Sequence, residues 1–238
     1  MRIAVVMASS GVSEIGLAER QRYLQETASF GTEVVMVPNP EAPAAIVDAY
    51  ESHLAAIHST RLVCEAQEDG FDAVVIWCGD DPGLEAARQR VTIPVVGPAT
   101  ASLSVARLLG DTFGYISSAG SPAHIWSRVR AAGLGDRLMS VACLPIEVLD
   151  IRSDLDRTYA LTEAAIADGV AAGAHSFILG CMAMWGMAPE LTRRTGVPVI
   201  DGGQAALLTA ELLVRLGLGH SAVAYPPSSV AESFALSV

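Results

Sequence analysis

The chain is built from short apolar runs separated by longer stretches with helical spacing. Runs at 3–7, 33–37, 73–78, 93–96, 113–116, 138–143, 177–181 and 197–200 predict strands. They are rich in Val and Ile and lack strict apolar/polar alternation, which suits strands covered on both faces of a parallel sheet. Between them, 13–29, 44–68, 82–90, 100–109, 121–132, 155–172, 188–195 and 204–216 predict helices. Ser13 can cap the first, Gly70 stops the second, and Pro82 stands where a helix tolerates proline. The Pro/Ser-rich tail after 224 is expected to pack as an extended segment.

The pattern restarts near residue 111. IPVVG at 93–97 matches VPVID at 197–201, and a shift of 104 positions aligns Ala101, Leu103, Ala106, Leu108 and Leu109 with Ala205, Leu207, Ala210, Leu212 and Leu213. Cys78 precedes Pro94 by 16 residues and Cys181 precedes Pro198 by 17. This order predicts an α/β fold of two pseudo-symmetric, parallel-sheet (Rossmann-like) halves, with the active site in the cleft between them. The first half spans 1–110 plus the tail 218–238, and the second spans 111–217. Ligands of such sheets sit at the carboxyl ends of the strands.

That placement gives the cysteines meaning. Cys78 and Cys181 both end an apolar strand, AVVIWC and FILGC. Each precedes a turn and a short helix, where backbone N–H groups would lower a thiol pKa. Two thiols facing one carbon beside a carbonyl can remove a proton on one side and return it on the other, with no metal or organic cofactor. Enolate stabilisation needs donors. The candidates are the strand-end turns: Ser9, Ser10, Gly79, Asp80, Ser117, Ser118, Gly180 and Met182. Cys64 and Cys143 read as small buried hydrophobes. Asp81 reads as the cap of the helix starting at Pro82, and Asp80 as a turn residue or pocket acceptor. Met182, Met184, Trp185 and Met187 are either a substrate wall or ordinary packing. His53, His58, His124, His175 and His220 form no motif with a cysteine and read as structural. Ser9 to Gly11 is no nucleotide-binding glycine motif.

Composition narrows the partners. The chain has 238 residues, 51% of them hydrophobic, and a net charge of −11 without a Lys/Arg cluster. That field disfavours nucleic acid. No run reaches the ~18 apolar residues of a membrane span. The start reads as a first strand and not a signal peptide, so four reduced thiols in the cytoplasm are the expectation. Apolar helices such as 205–216 leave room for a homo-oligomer. The expected partner is a small carbonyl-containing molecule.

EAQEDGFDAVVIWCGDDPGLEAARQRVTIPVVG at 65–97 resembles the central signature of the hydantoin racemase branch of the Asp/Glu/hydantoin racemase superfamily. LGCMAM at 179–184, the 196–218 segment and PAAIVDAYESHL at 43–54 resemble further segments of that family. The likeness covers roughly 1–225. It implies two similar α/β halves with one acid/base cysteine from each, Cys78 and Cys181, and a pocket lined by the first-strand and fifth-helix turns. The chain departs from the family pattern at MASSG, at Gly79-Asp80, at Thr100 and at Met182 to Trp185. The reaction is therefore better defined than the substrate, and a larger or less polar substrate than a simple hydantoin fits these changes.

The leading reading is a cofactor-independent racemase or epimerase of hydantoins, ureides or amino-acid derivatives. A cis–trans isomerase or a decarboxylase on the same scaffold is the second. The third is a non-catalytic small-molecule binding protein. A diacid substrate would call for Arg or Lys by the pocket, and the strand-end turns contain neither.

Overall fold

The structure is a computed structural model that describes residues 1–118 and 121–227. Ala119 and Gly120 of the second Ser/Gly turn, and residues 228–238 of the tail, lie outside the described residues. In chain order, the first half contains β1 (Arg2–Met7), α1 (Glu14–Thr27), β2 (Glu33–Val37), α2 (Ala49–Glu68), β3 (Ala73–Trp77), α3 (Leu84–Arg88), β4 (Val95–Val96) and α4 (Pro98–Leu109). The second contains β5 (Phe113–Ser117), α5 (Pro122–Ala131), β6 (Leu138–Cys143), α6 (Leu155–Ala171), β7 (Phe177–Leu179), α7 (Ala188–Thr195), β8 (Val199–Asp201) and α8 (Gly202–Arg215). Each half forms one parallel four-stranded sheet, in the orders β2-β1-β3-β4 and β6-β5-β7-β8. The two orders are the same, as the internal repeat predicts.

Alternate residues of each strand serve different cores. Ala4, Val6, Val74 and Ile76 pack outward against Ala55, Val63 and Ala66 of α2. Ile116, Phe177 and Leu179 pack outward against Ile166 of α6 and Leu191 of α7. The inward residues, Ile3, Val5 and Val75 of one sheet and Phe113, Tyr115 and Ile178 of the other, join a single cluster with α4 and α8. Helix α8 packs on β3 and β4, while α4 packs on β7 and β8. The halves therefore share their largest core across the interface. At the end of the chain, the Val95 N–H donates to His220 Nε2 at 2.7 Å, and Arg88 Nη1 donates to the Tyr225 hydroxyl at 3.1 Å. Residues 218–227 so return to the first half.

Several boundaries differ from the sequence expectation. Helix α2 starts at Ala49 and not at 44, because Asp48 caps it by accepting from the Glu51 N–H at 3.0 Å. The Glu51 carboxylate in turn accepts from the Val47 N–H at 2.7 Å, completing a reciprocal cap. The residues before it are strapped to the first turn, with Ser10 N–H to Pro43 O at 2.9 Å and Gly11 N–H to Ala44 O at 3.0 Å. Helix α3 starts at Leu84, after Gly83 in the left-handed region. Asp81 does not cap it. Its carboxylate accepts from Ala99 N–H, Thr100 N–H and the Thr100 hydroxyl at 2.7–2.9 Å, and so caps α4. Strands β3 and β7 end at Trp77 and Leu179, leaving both cysteines in the following turns.

Those two turns touch. A Cβ on Gly79 would overlap the carbonyl oxygen of Gly180, and a Cβ on Gly180 would overlap the ring of Tyr115. Neither position can carry a side chain without moving backbone or a buried aromatic. Gly79→Ala is expected to destabilise the fold by about 2 kcal/mol, lowering the thermal midpoint by roughly 4–8 °C. Calorimetry checks this, and an alanine variant as stable as the parent would show that the turns are not in contact.

Candidate functional site

The carboxyl ends of β1, β3, β5 and β7 open onto one cavity of about 640 Å³. The contact between Gly79 and Gly180 brings Cys78 and Cys181 to its floor, one from each half. Of the other residues expected at the site, Ser9, Gly79, Asp80, Ser117, Gly180 and Met182 line the cavity. Ser118 stands against Cys181, where its N–H favours the thiolate. Ser10 is the exception. Its hydroxyl donates to Ala42 O at 2.8 Å, so it anchors the 42–44 loop and does not face the cavity. Cys64 and Cys143 lie away from this wall, in agreement with their reading as packing residues.

The thiols correct one electrostatic expectation. No helix starts at either cysteine: α3 waits until Leu84, and only a single 3-10 turn, Met182–Met184, follows Cys181. Burial therefore outweighs the local N–H groups. It pushes Cys78 up to about 12, assisted by the Asp80 and Asp81 carboxylates and by Cys181, against a 3.4 Å hydrogen bond from the Asp80 N–H. Burial also raises Cys181, but its neighbours work the other way: the Ala183 and Ser118 N–H groups and the Arg20 guanidinium favour its thiolate.

Beside Cys78, Asp80 is a fully engaged acceptor. Ser52 donates to it, His124 Nε2 lies at 2.9 Å and Arg128 Nη1 at 2.7 Å. Arg128 also donates to Gly79 O at 3.0 Å, joined by the Tyr115 hydroxyl at 3.3 Å. Burial opposes the charge on Arg128, yet Tyr115, Asp80, Asp81 and Cys78 outweigh it and raise its pKa. Arg128 of α5 thus locks the turn that carries Cys78. His124, read as structural from the sequence, is a wall residue of this cavity. Nothing in the local sequence couples it to Asp80, since 44 positions separate them.

On the Cys181 side, the cavity wall carries Arg20 and Arg152. Their guanidinium carbons lie 5.7 and 3.8 Å from the Trp185 ring centroid. Tyr23 packs on the same ring at 5.1 Å and donates to Asp201 at 2.8 Å, while Asp201 also accepts from the Gly186 N–H. The Met/Trp cluster therefore divides: Met182 lines the cavity, Met184 and Met187 fill the core behind β7, and Trp185 supports the arginines. The cations missing from the strand-end turns reach the pocket from other elements: α1, α5 and the loop before α6 bring Arg20, Arg128 and Arg152 to the wall. Val12, Ile46, Val47, Val148 and Leu149 add an apolar rim. Among the described residues, no three His, Cys, Asp or Glu side chains gather to hold a metal, and no helix is long and apolar enough to cross a membrane.

Comparison with known proteins places this architecture. Residues 9–210 match the family model described as Asp/Glu/Hydantoin racemase. The chain is 34% identical to a hydantoin racemase of Paenarthrobacter aurescens over 81% of this chain and 83% of that one. A hydantoin racemase of Rhizobium meliloti is 33% identical over 81% of this chain and 82% of its own. The solved allantoin racemase of Pseudomonas fluorescens superposes with a TM-score of 0.89 at 31% identity, over 96% of this chain and 97% of that one. The allantoin racemase of Klebsiella pneumoniae gives 0.87 at 26%, over 97% and 95%. Identical sheets related by the internal repeat, a paired-cysteine cavity and these likenesses together establish that the chain belongs to the Asp/Glu/hydantoin racemase family, on its hydantoin racemase-like branch.

Proposed function

We propose that this protein is a cofactor-independent racemase that uses Cys78 and Cys181 as opposed acid and base on a carbon next to a carbonyl in a cyclic ureide. The observation that carries this reading is the meeting of two equivalent strand-end turns at Gly79 and Gly180, which brings one thiol from each half to a single cavity floor. One thiolate removes the proton, the carbanion delocalises onto the adjacent carbonyl oxygen, and the opposite thiol protonates the other face. Ser9 offers a hydroxyl on the same wall for the oxyanion, and Ser117 lines that wall as well. Hydantoin and allantoin, for which the relatives are named, share a ring carbon of this acidity beside a carbonyl.

The two thiols are not equivalent at rest. Acidic groups surround Cys78, whereas Arg20 and the Ala183 and Ser118 N–H groups face Cys181. Burial raises both thiols, but Cys181 is the more readily ionised and Cys78 the more firmly protonated. In free enzyme, kcat/KM should rise with pH as Cys181 ionises. It should show no falling limb below about pH 10, because Cys78 keeps its proton up to about 12. A bell centred near neutrality would contradict this assignment.

Cys78→Ser and Cys181→Ser should each lower racemisation of a hydantoin or allantoin by about 10²–10⁴-fold, followed by polarimetry. Either variant retaining a tenth of the parent rate would remove the two-thiol scheme. In a brief iodoacetamide pulse read by peptide mass spectrometry, Cys181 should be alkylated before Cys78. The reverse order would contradict the resting-state assignment.

A further inference from the structure

Arg20 and Arg152 are two cations on the wall of one cavity, and their counter-charge is incomplete. Arg20 is 9% exposed, its Nε has no hydrogen-bond partner, and its Nη1 spends one proton on Gly16 O at 2.8 Å. Arg152 spends one Nη1 proton on Trp185 O at 3.1 Å while stacked on that ring. Among the described residues, no carboxylate lies within ion-pair distance of either. Glu19, exposed on the same wall, is near enough to be felt by both but makes no ion pair with them. The two guanidiniums work against each other, since burial first and Arg152 second bring Arg20 down to about 10.

Unpaired buried charge is costly, and in a chain of net charge −11 the shortage of acids is local. Burial raises the Cys181 thiol, so it offers these cations a charge only when it ionises and loses that charge whenever it takes up the transferred proton. A second anion is needed that does not belong to the thiol. Both guanidiniums keep donors free, and Trp185 holds one of them in a fixed plane, the geometry that receives a carboxylate bidentately.

We infer that Arg20 and Arg152 form a carboxylate subsite beside Cys181, and that the preferred substrate is a hydantoin-type ring whose substituent at the reacting carbon ends in a carboxylate. This rests on the racemase reading for the ring, while the subsite itself is a matter of binding. The 640 Å³ cavity has room for ring and substituent together.

The test is calorimetric titration of the intact protein with two racemic probes, 5-(2-carboxyethyl)hydantoin and its carboxamide, 5-(2-carbamoylethyl)hydantoin. The carboxylate should bind about 10-fold more tightly, as expected of charge-assisted hydrogen bonds. Raising the salt should weaken the carboxylate alone. The preference should fall to within about twofold in Arg152→Met, a partly exposed position that tolerates the change, and in Arg20→Met where that variant folds. Equal binding of the probes, binding of neither, or a preference that survives Arg152→Met overturns the subsite. Polarimetry on a single enantiomer of each probe separates the two claims. Racemisation of both probes without a binding preference sinks the subsite and leaves the racemase. Preferential binding of the carboxylate without loss of optical rotation keeps the subsite and sinks the racemase.

Discussion

The close packing of Gly79 against Gly180 is the constraint on which the rest of this molecule depends. Each glycine sits beside a cysteine in the turn after a central strand; the missing side chain of Gly79 lets backbone meet backbone, and that of Gly180 admits the Tyr115 ring. The shared core makes that meeting rigid. Helices α4 and α8 each pack on strands of the opposite half, so the sheets cannot separate without exposing the largest apolar cluster. Arg128 and Tyr115 then hold the Gly79 carbonyl from the second half. A cavity with a thiol from each half follows from that arrangement.

Pseudo-symmetry of the backbone coexists with asymmetry of charge. The Cys78 side is a closed acidic network of Asp80, Ser52, His124 and Arg128, in which each charge is met within the protein. Among the described residues, the Cys181 side leaves Arg20 and Arg152 without an ion-pair partner. A racemase must accept both enantiomers at the reacting carbon, yet nothing requires the remainder of the pocket to be symmetric. The distal part of a substrate can be bound in one orientation while the carbon presents either face.

Much of this was legible in the sequence because it is written locally. Short β-branched runs bounded by Gly, Pro or Asp marked all eight strand regions, and the repeated order of cysteine, proline and helix marked the duplication. Both cysteines and most of the strand-end residues singled out line the cavity, because the strands of both sheets open onto it at their carboxyl ends. What escaped depends on distant pairing. Asp81 looked like the cap of the adjacent helix, but its carboxylate reaches α4, 18 and 19 residues on. Arg20, His124, Arg128 and Arg152 sit on helices and a loop with no motif, and only the folded chain brings them to the cavity. The thiol pKa values were misread for a related reason: strand-end position suggests helix N–H groups, whereas burial is a property of the closed cleft.

Solvent isotope placement tests the opposed-thiol arrangement most directly. A single enantiomer of substrate is turned over in deuterated water, and both enantiomers are separated at low conversion and examined by mass spectrometry. With one thiol removing the proton and the other delivering from the opposite face, the product enantiomer carries deuterium while unreacted substrate stays protiated. Deuterium appearing equally in both enantiomers would mean that a single group serves both faces, and would contradict the two-thiol account.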